Sequence, residues 1–203
     1  MFKARSILLF LVTVLNSVTM AEGDVARGKE KASVCAACHG ADGNSTNPIW
    51  PKIAGQQPYY IVKQLKAFKL GASKGGRDNP LMAPIVANLS DQDMEDLAAY
   101  FAAQPRTLYN SKPEDVKKGE GLYRGGDMER KIPACIACHG PQGLGVNGAA
   151  FPALSGQHPE YTVASLLAYQ NGSRKLAPIM ETIVTRMNKA DMEDVAKYVS
   201  VLH

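Results

Sequence analysis

Cys35-Ala36-Ala37-Cys38-His39-Gly40 and Cys135-Ile136-Ala137-Cys138-His139-Gly140 are one hexad written twice in the same chain, 100 residues apart. The duplication continues downstream of both copies. Gly55-Gln56-Gln57-Pro58-Tyr59-Tyr60 returns as Gly156-Gln157-His158-Pro159-Glu160-Tyr161. Met82-Ala83-Pro84-Ile85-Val86 returns as Met180-Glu181-Thr182-Ile183-Val184, and Asp93-Met94-Glu95-Asp96 as Asp191-Met192-Glu193-Asp194. The offset drifts from 100 to 101 to 98, so the halves differ by small loop changes, and Gly125 to Pro133 reads as a loop that the first half lacks. Two copies make a tandem duplication rather than a solenoid of many repeats.

Helical punctuation recurs in both halves. Asp24 suits the N-cap of a helix running into the first cysteine pair. Pro58 and Pro159 stand where proline opens a helix, and Gly71 and Gly172 where such a helix ends. Between them Ile61, Leu65 and Phe68, and likewise Val163, Leu166, Leu167 and Tyr169, recur at helical spacing. Ser90 and Asn188 suit the N-cap of a last helix in each half, with Leu89 and Met94, and Met187 and Met192, placed as hydrophobic staples. No segment alternates as a strand would, so the fold class is all-α. Pro105, Asn110, Ser111 and Pro113 interrupt the pattern, which divides the chain into a first domain over 22–104, a linker over 105–115 and a second domain over 116–203.

The 203 residues are 45% hydrophobic and 21% charged, which excludes a disordered chain and a polytopic membrane protein. Residues 1–21 read as a cleaved export signal: Lys3 and Arg5 lead, Ile7 to Leu15 are nearly all apolar, and Thr19 and Ala21 fit a cleavage site. Their removal leaves 21 of the 23 basic side chains against all 19 acidic ones, too even and too dispersed for nucleic-acid binding. The chain after residue 21 is therefore expected outside the cytoplasm. Each remaining half is small for a self-supporting core, and aromatics are only 7%, so a stapling cofactor is expected.

The hexads supply it. Cys-x-x-Cys-His is the attachment signature of c-type haem. Two thiols one helical turn apart can reach the two vinyl groups of a porphyrin, and the next residue is drawn under the iron as an axial ligand. Cys35 and Cys38 thus bind one covalent haem c and Cys135 and Cys138 a second, with His39 and His139 on the irons. A zinc site would bring its second pair within about 15–20 residues, and a thioredoxin-like pair would need a βαβ context. Ordinary disulfides are the remaining alternative in an exported protein.

The repeat also sorts the sixth ligands. His158 aligns with Gln57 and His203 is terminal, so neither recurs in both halves, and both are read as polar surface residues. Met82 and Met180 do recur, 43 and 41 residues after their histidines, each just after a proline-containing segment read as irregular, Asn79-Pro80-Leu81 and Ala177-Pro178-Ile179. They are assigned as sixth ligands. Met94 and Met192 also align, but in the first turn of the last helix, where packing is the better reading.

The two CxxCH motifs, the Gly-Gln-x-Pro segments and the methionine-bearing segments together resemble the cytochrome c4 family, across essentially the whole chain after residue 21. The resemblance implies two helical cytochrome c domains facing each other, each with His/Met ligation, and electron transfer in the bacterial periplasm, often toward a terminal oxidase. It further implies redox-protein partners, with a membrane quinol-oxidising complex or another donor upstream, and a soluble monomer or one resting peripherally on the membrane. In such domains a proline carbonyl orients the axial histidine; Pro48 is the counterpart suggested here, with Ala149 in its place in the second half.

Two six-coordinate irons leave no position for a substrate, and no serine nucleophile, paired carboxylates or phosphate loop stands above background, so the chain reads as an electron carrier and not an enzyme. The haems would take the exported chain from about +2 to about −2 when reduced, which makes global steering weak. Lys63, Lys66 and Lys69 form a stripe read as a solvated helix face. Two alternatives stay open: the cytochrome subunit of a larger redox enzyme such as a flavocytochrome sulfide dehydrogenase, and, against the shortage of histidines, a dihaem peroxidase-like enzyme.

Overall fold

The computed structural model describes residues 23–203, so the export signal assigned to 1–21 lies outside the described residues. The first half contains α1 (Val25–Lys31), α2 (Ser33–His39), α3 (Pro58–Leu70), α4 (Met82–Val86) and α5 (Asp91–Ala102). The second contains α6 (Pro113–Gly125), α7 (Ile136–His139), α8 (Pro159–Gln170), α9 (Pro178–Val184) and α10 (Lys189–Val201). Two isolated bridges, Asp127 with Ile132 and Val146 with Phe151, are the extended pairings among the described residues. The fold is all-α.

The caps fall where their chemistry requires. The Asp24 side chain accepts from the Arg27 N–H at the start of α1. Ser90 with Asp93, and Asn188 with Asp191, close reciprocal capping boxes on α5 and α10, each worth about 1 kcal/mol. Met94 and Met192 are fully buried one residue later. Pro58 and Pro159 open α3 and α8, whose missing N–H costs nothing in a first turn. Gly71 caps α3 as expected, whereas α8 stops at Asn171, one residue before Gly172. Pro113 opens α6 rather than interrupting a helix.

Each half is organised around one close helix crossing. Gly28 of α1 lies against α5 so tightly that a Cβ there would stand 2.0 Å from the Asp96 carbonyl oxygen and 2.8 Å from the Tyr100 Cβ. Gly119 of α6 meets α10 in the same way, at 2.0 Å from the Asp194 oxygen and 2.9 Å from the Tyr198 Cβ. The first crossing is also tied by charge. Asp96, 1% exposed, accepts from Arg27 Nε at 2.9 Å, Arg27 Nη2 at 3.0 Å and the Asp24 N–H at 2.8 Å. The hydrogen bond from Arg27 holds its carboxyl well below the usual carboxylate range, against the opposing effect of burial.

The cores are unequal. The first joins Ile61, Leu97, Ala98, Tyr100 and Phe101. The second is larger and includes Tyr123, Ile132, Met187, Met192, Tyr198 and Val199. Ile132 comes from the loop that the first half lacks. That loop starts at Gly126, after Gly125 ends α6, and turns through Lys131 with φ 57°. Asp127 and Ile132 exchange two backbone hydrogen bonds of 2.8 Å, and Arg130 bridges Asp127 and Asp191 at 2.6 Å each. A buried isoleucine and a two-carboxylate clamp thus fix the approach to Cys135. Lys63, Lys66 and Lys69 are exposed, and Lys66 pairs with Asp91 at 3.1 Å.

Gly28→Ala or Gly119→Ala will force the crossing helices apart, destabilise its domain by about 3 kcal/mol and lower the melting temperature, followed by circular dichroism, by at least about 10 °C. Asp96 has a depressed folded pKa, so its contribution is present above the ordinary value of 3.8 and is lost as pH falls below it. Asp96→Asn will lower stability at neutral pH and flatten the acid limb of a denaturation profile between about pH 4 and 2.

Candidate haem sites and the interface between them

Both hexads deliver their histidines alike. His39 ends α2 and His139 ends α7, and the next residue, Gly40 or Gly140, takes a positive φ that stops the helix. The histidines are 9% and 7% exposed. His39 Nδ1 lies 2.8 Å from the Pro51 carbonyl oxygen, and His139 Nδ1 2.9 Å from that of Pro152. A carbonyl only accepts, so Nδ1 carries the proton and Nε2 keeps a bare lone pair. Burial lowers both pKa values, partly offset by these hydrogen bonds, and keeps the rings in the neutral form that a metal requires.

The orienting residue is therefore Pro51, not Pro48, and its counterpart is Pro152, not Ala149. A turn closed by the Trp50 N–H on the Asn47 carbonyl separates Pro48 from the segment that faces the ring. No disulfide joins the four cysteines, of which Cys38 is exposed and the others half-buried. Met82 is the first residue of α4 and Met180 the third of α9, both half-buried. Asn79 to Leu81 form a turn outside helix, as expected, and Met82 follows as the opening of α4, whereas Pro178 and Ile179 before Met180 already lie within α9. The Asn79 side chain caps α4 by accepting from the Leu81 and Met82 N–H groups, and Pro178 opens α9.

The interface between the halves adds a buried cationic cluster. Arg174, 3% exposed, donates to Tyr60 Oη at 2.6 Å and lies over the Tyr169 ring, 4.6 Å from its centroid. Arg77 donates to Gln64 Oε1 at 2.9 Å. The two arginines are structural equivalents: their N–H groups bond the carbonyls of Ala67 and Ala168, each at 2.9 Å. Burial alone would raise the Tyr161 pKa, but the Arg174 and Arg77 charges bring it down to about 8. Among the described residues no carboxylate pairs with Arg174, and its Nε and the Ser165 hydroxyl are buried without a partner. A buried guanidinium without an anion is costly. The donor set suits the propionates of haem, and the free thiols and neutral imidazoles suit its vinyls and iron, so the residues fit the group.

Two glutamines join the halves reciprocally. Gln157 Oε1 accepts from the Lys52 N–H at 2.9 Å and its Nε2 donates to the Lys52 carbonyl at 2.8 Å. Gln56 Oε1 accepts from the Ala153 N–H at 2.7 Å and its Nε2 donates to the Ala153 carbonyl at 3.0 Å. The linker is strapped down as well. The Lys52 ammonium donates to the Thr107 carbonyl at 3.0 Å, and Asn44 donates to the Pro105 carbonyl at 2.9 Å.

His158 is not the surface residue its lack of a repeat partner suggested. It is 1% exposed, with Nε2 2.9 Å from the Ser45 carbonyl of the other half and Nδ1 bonded to the Tyr109 hydroxyl of the linker. Nε2 carries the proton and Nδ1 accepts. His203 is exposed, as anticipated.

The cytochrome c family model matches residues 25–104 and 116–203. Cytochrome c4 of Pseudomonas aeruginosa is 41% identical over 198 residues, 96% of this chain and 96% of that one. The crystal structure of reduced recombinant cytochrome c4 from Pseudomonas stutzeri superposes with a TM-score of 0.85 at 41% identity, covering 89% of this chain and all of that one. The chain belongs to the cytochrome c4 family. With one cysteine pair in each domain, the chain carries two haem c groups, works as an electron carrier rather than an enzyme, and exchanges electrons with redox-protein partners. A thiosulfate dehydrogenase electron acceptor of Stutzerimonas stutzeri is 41% identical over 173 residues, 82% of this chain and 78% of that one.

Reading the sequence alone missed Pro51 and Pro152, the arginine pair and the bridging role of the glutamines. The Gly-Gln-x-Pro repeat was the signal for the last of these, since a duplicated glutamine beside a helix-opening proline has no core to fill. For the linker tether, Tyr109→Phe leaves a buried imidazole nitrogen without its donor and will cost about 1–3 kcal/mol in chemical denaturation. Burial, with the nearby Lys52 charge, lowers the His158 pKa, so this part of the stability holds above the ordinary value of 6.5 and weakens as pH falls below it.

Proposed function

We propose that the protein relays single electrons in the periplasm through two His/Met-ligated haems. Cys35 and Cys38 hold the first by thioethers, with His39 Nε2 and the Met82 sulfur as its axial ligands. Cys135, Cys138, His139 and Met180 hold the second. Residues 1–21 serve as the export signal, 22–104 and 116–203 form the haem domains, and 105–115 link them. The observation that carries the reading is the pair of histidine Nδ1 bonds to Pro51 and Pro152, which present both Nε2 atoms for ligation in a fixed orientation.

The bound haems supply a one-electron iron couple, and Met/His ligation favours its ferrous state. The protein residues hold that couple rigid. The proline carbonyls fix the imidazole planes, the short helices α4 and α9 carry the methionines on backbone rather than on a mobile loop, and Arg77 and Arg174 provide charge for the propionates. A quinol-oxidising complex as donor and a terminal oxidase as acceptor fit a carrier of this kind. No helix among the described residues is long and apolar enough to cross a membrane. A second reading, an electron acceptor serving a dehydrogenase of a reduced sulfur compound, is favoured by the similarity to the thiosulfate dehydrogenase electron acceptor.

The ferric spectrum of the holoprotein tests the ligation. Its long-wavelength methionine–iron charge-transfer band is expected at an intensity for two haems, resistant to cyanide. Met82→Ala and Met180→Ala should each remove about half of the band and open one iron to cyanide. A band unchanged by either variant would reject that ligand.

A further inference from the structure

The glutamine of each Gly-Gln-x-Pro segment reaches across the interface to one particular peptide unit. The amide joining Pro51 to Lys52 accepts from His39 Nδ1 at its carbonyl, 2.8 Å, and donates from its N–H to Gln157 Oε1, 2.9 Å. The amide joining Pro152 to Ala153 accepts from His139 Nδ1 at 2.9 Å and donates to Gln56 Oε1 at 2.7 Å. Each axial histidine is therefore one peptide group away from a side chain of the opposite domain. Both glutamines are nearly buried, 7% and 8% exposed. Each Oε1 also accepts the next N–H of its own chain, Gln57 or His158, at 2.9 and 3.0 Å. With N–H groups at Oε1 and a carbonyl at Nε2, only one orientation of each amide satisfies its partners.

We propose that Gln56 and Gln157 are crossed positioning residues: each sets the electron-donating strength of the axial histidine in the domain to which it does not belong. The inference rests on His39 and His139 being the iron ligands. A peptide whose N–H is already donating has a more polarised carbonyl, so it accepts more strongly. The stronger that acceptor, the more imidazolate-like the histidine and the better it supports ferric iron. Removing Gln157 weakens the Pro51 carbonyl as an acceptor and raises the potential of the first haem. Removing Gln56 does the same to the second. Cooperative strengthening of about 10–30% per bond, applied to a hydrogen bond on a metal ligand, corresponds to about a twofold change in the ferrous-to-ferric ratio at fixed ambient potential. For a one-electron couple that is about 18 mV.

The test is a spectroelectrochemical titration of the holoprotein, wild type against Gln157→Leu and Gln56→Leu, with NMR resonances assigning each couple to its domain. The expected result is crossed: Gln157→Leu raises the potential of the His39 haem about twofold in ratio and leaves the His139 haem in place, and Gln56→Leu does the reverse. Equal shifts in both haems, a shift confined to the domain carrying the mutation, or no shift would overturn the proposal. A merely structural clamp would lower the melting temperature without the crossed pattern. Gln157→Asn withdraws the amide by one methylene, and it must give the same direction if the leucine variant does not fold. The wild-type ferric spectrum is read first. Loss of the ligand reading appears there, whereas failure of the crossed coupling appears only in the variants.

Discussion

The hydrogen bond from His39 Nδ1 to the Pro51 carbonyl, with its twin from His139 to Pro152, is the contact around which both halves are arranged. It fixes the tautomer, leaves Nε2 with a free lone pair and removes the freedom of a ring that stands at the end of a short helix. Proline suits the acceptor's place because its own nitrogen has no N–H to satisfy, so the residue brings a buried carbonyl without a buried donor. The following residue then uses its N–H outward, toward the other domain. One backbone segment thus meets the histidine ring on one side and the interface on the other.

Around that contact, each half solves the problem of small size twice. Gly28 and Gly119 let the terminal helices touch through backbone, which replaces side-chain bulk that a half of this length cannot provide. The haem supplies the remaining apolar mass. The larger apolar core of the second domain follows from its extra loop, which contributes Ile132, and from Met187 where the first domain has Leu89. The first domain compensates with charge, through the buried carboxylate of Asp96 held by Arg27. Equivalent backbones are therefore stabilised by different balances of burial and electrostatics.

The glutamine and linker contacts between the halves are polar and paired, whereas Arg174 Nε and the Ser165 hydroxyl are left without a protein partner. Glutamine amides meet backbone amides in pairs, the linker is bonded to the first domain through Thr107 and Pro105, and Tyr109 closes on a fully buried histidine. Such a surface resists rotation because every hydrogen bond is directional, and separation would leave several buried groups without partners. The arginine pair adds charge that only an anionic partner can balance. A carrier that must keep two redox centres at fixed separation is well served by an interface of this kind.

The chain order of the residues determined the all-α class, the duplication, the caps and the cysteine–histidine pairs, because helix periodicity, capping and CxxCH spacing are local and survive in one dimension. The methionine positions were legible as a repeat, while their setting in the short helices α4 and α9 was not, since proline and asparagine mark turns and helix starts alike. Tertiary structure alone decided that Pro51 rather than Pro48 faces His39, that His158 is buried, and that Gln56 and Gln157 cross between domains. The first is a contact over 12 residues and the others span 97 to 113, and no local pattern records the direction in which a carbonyl points.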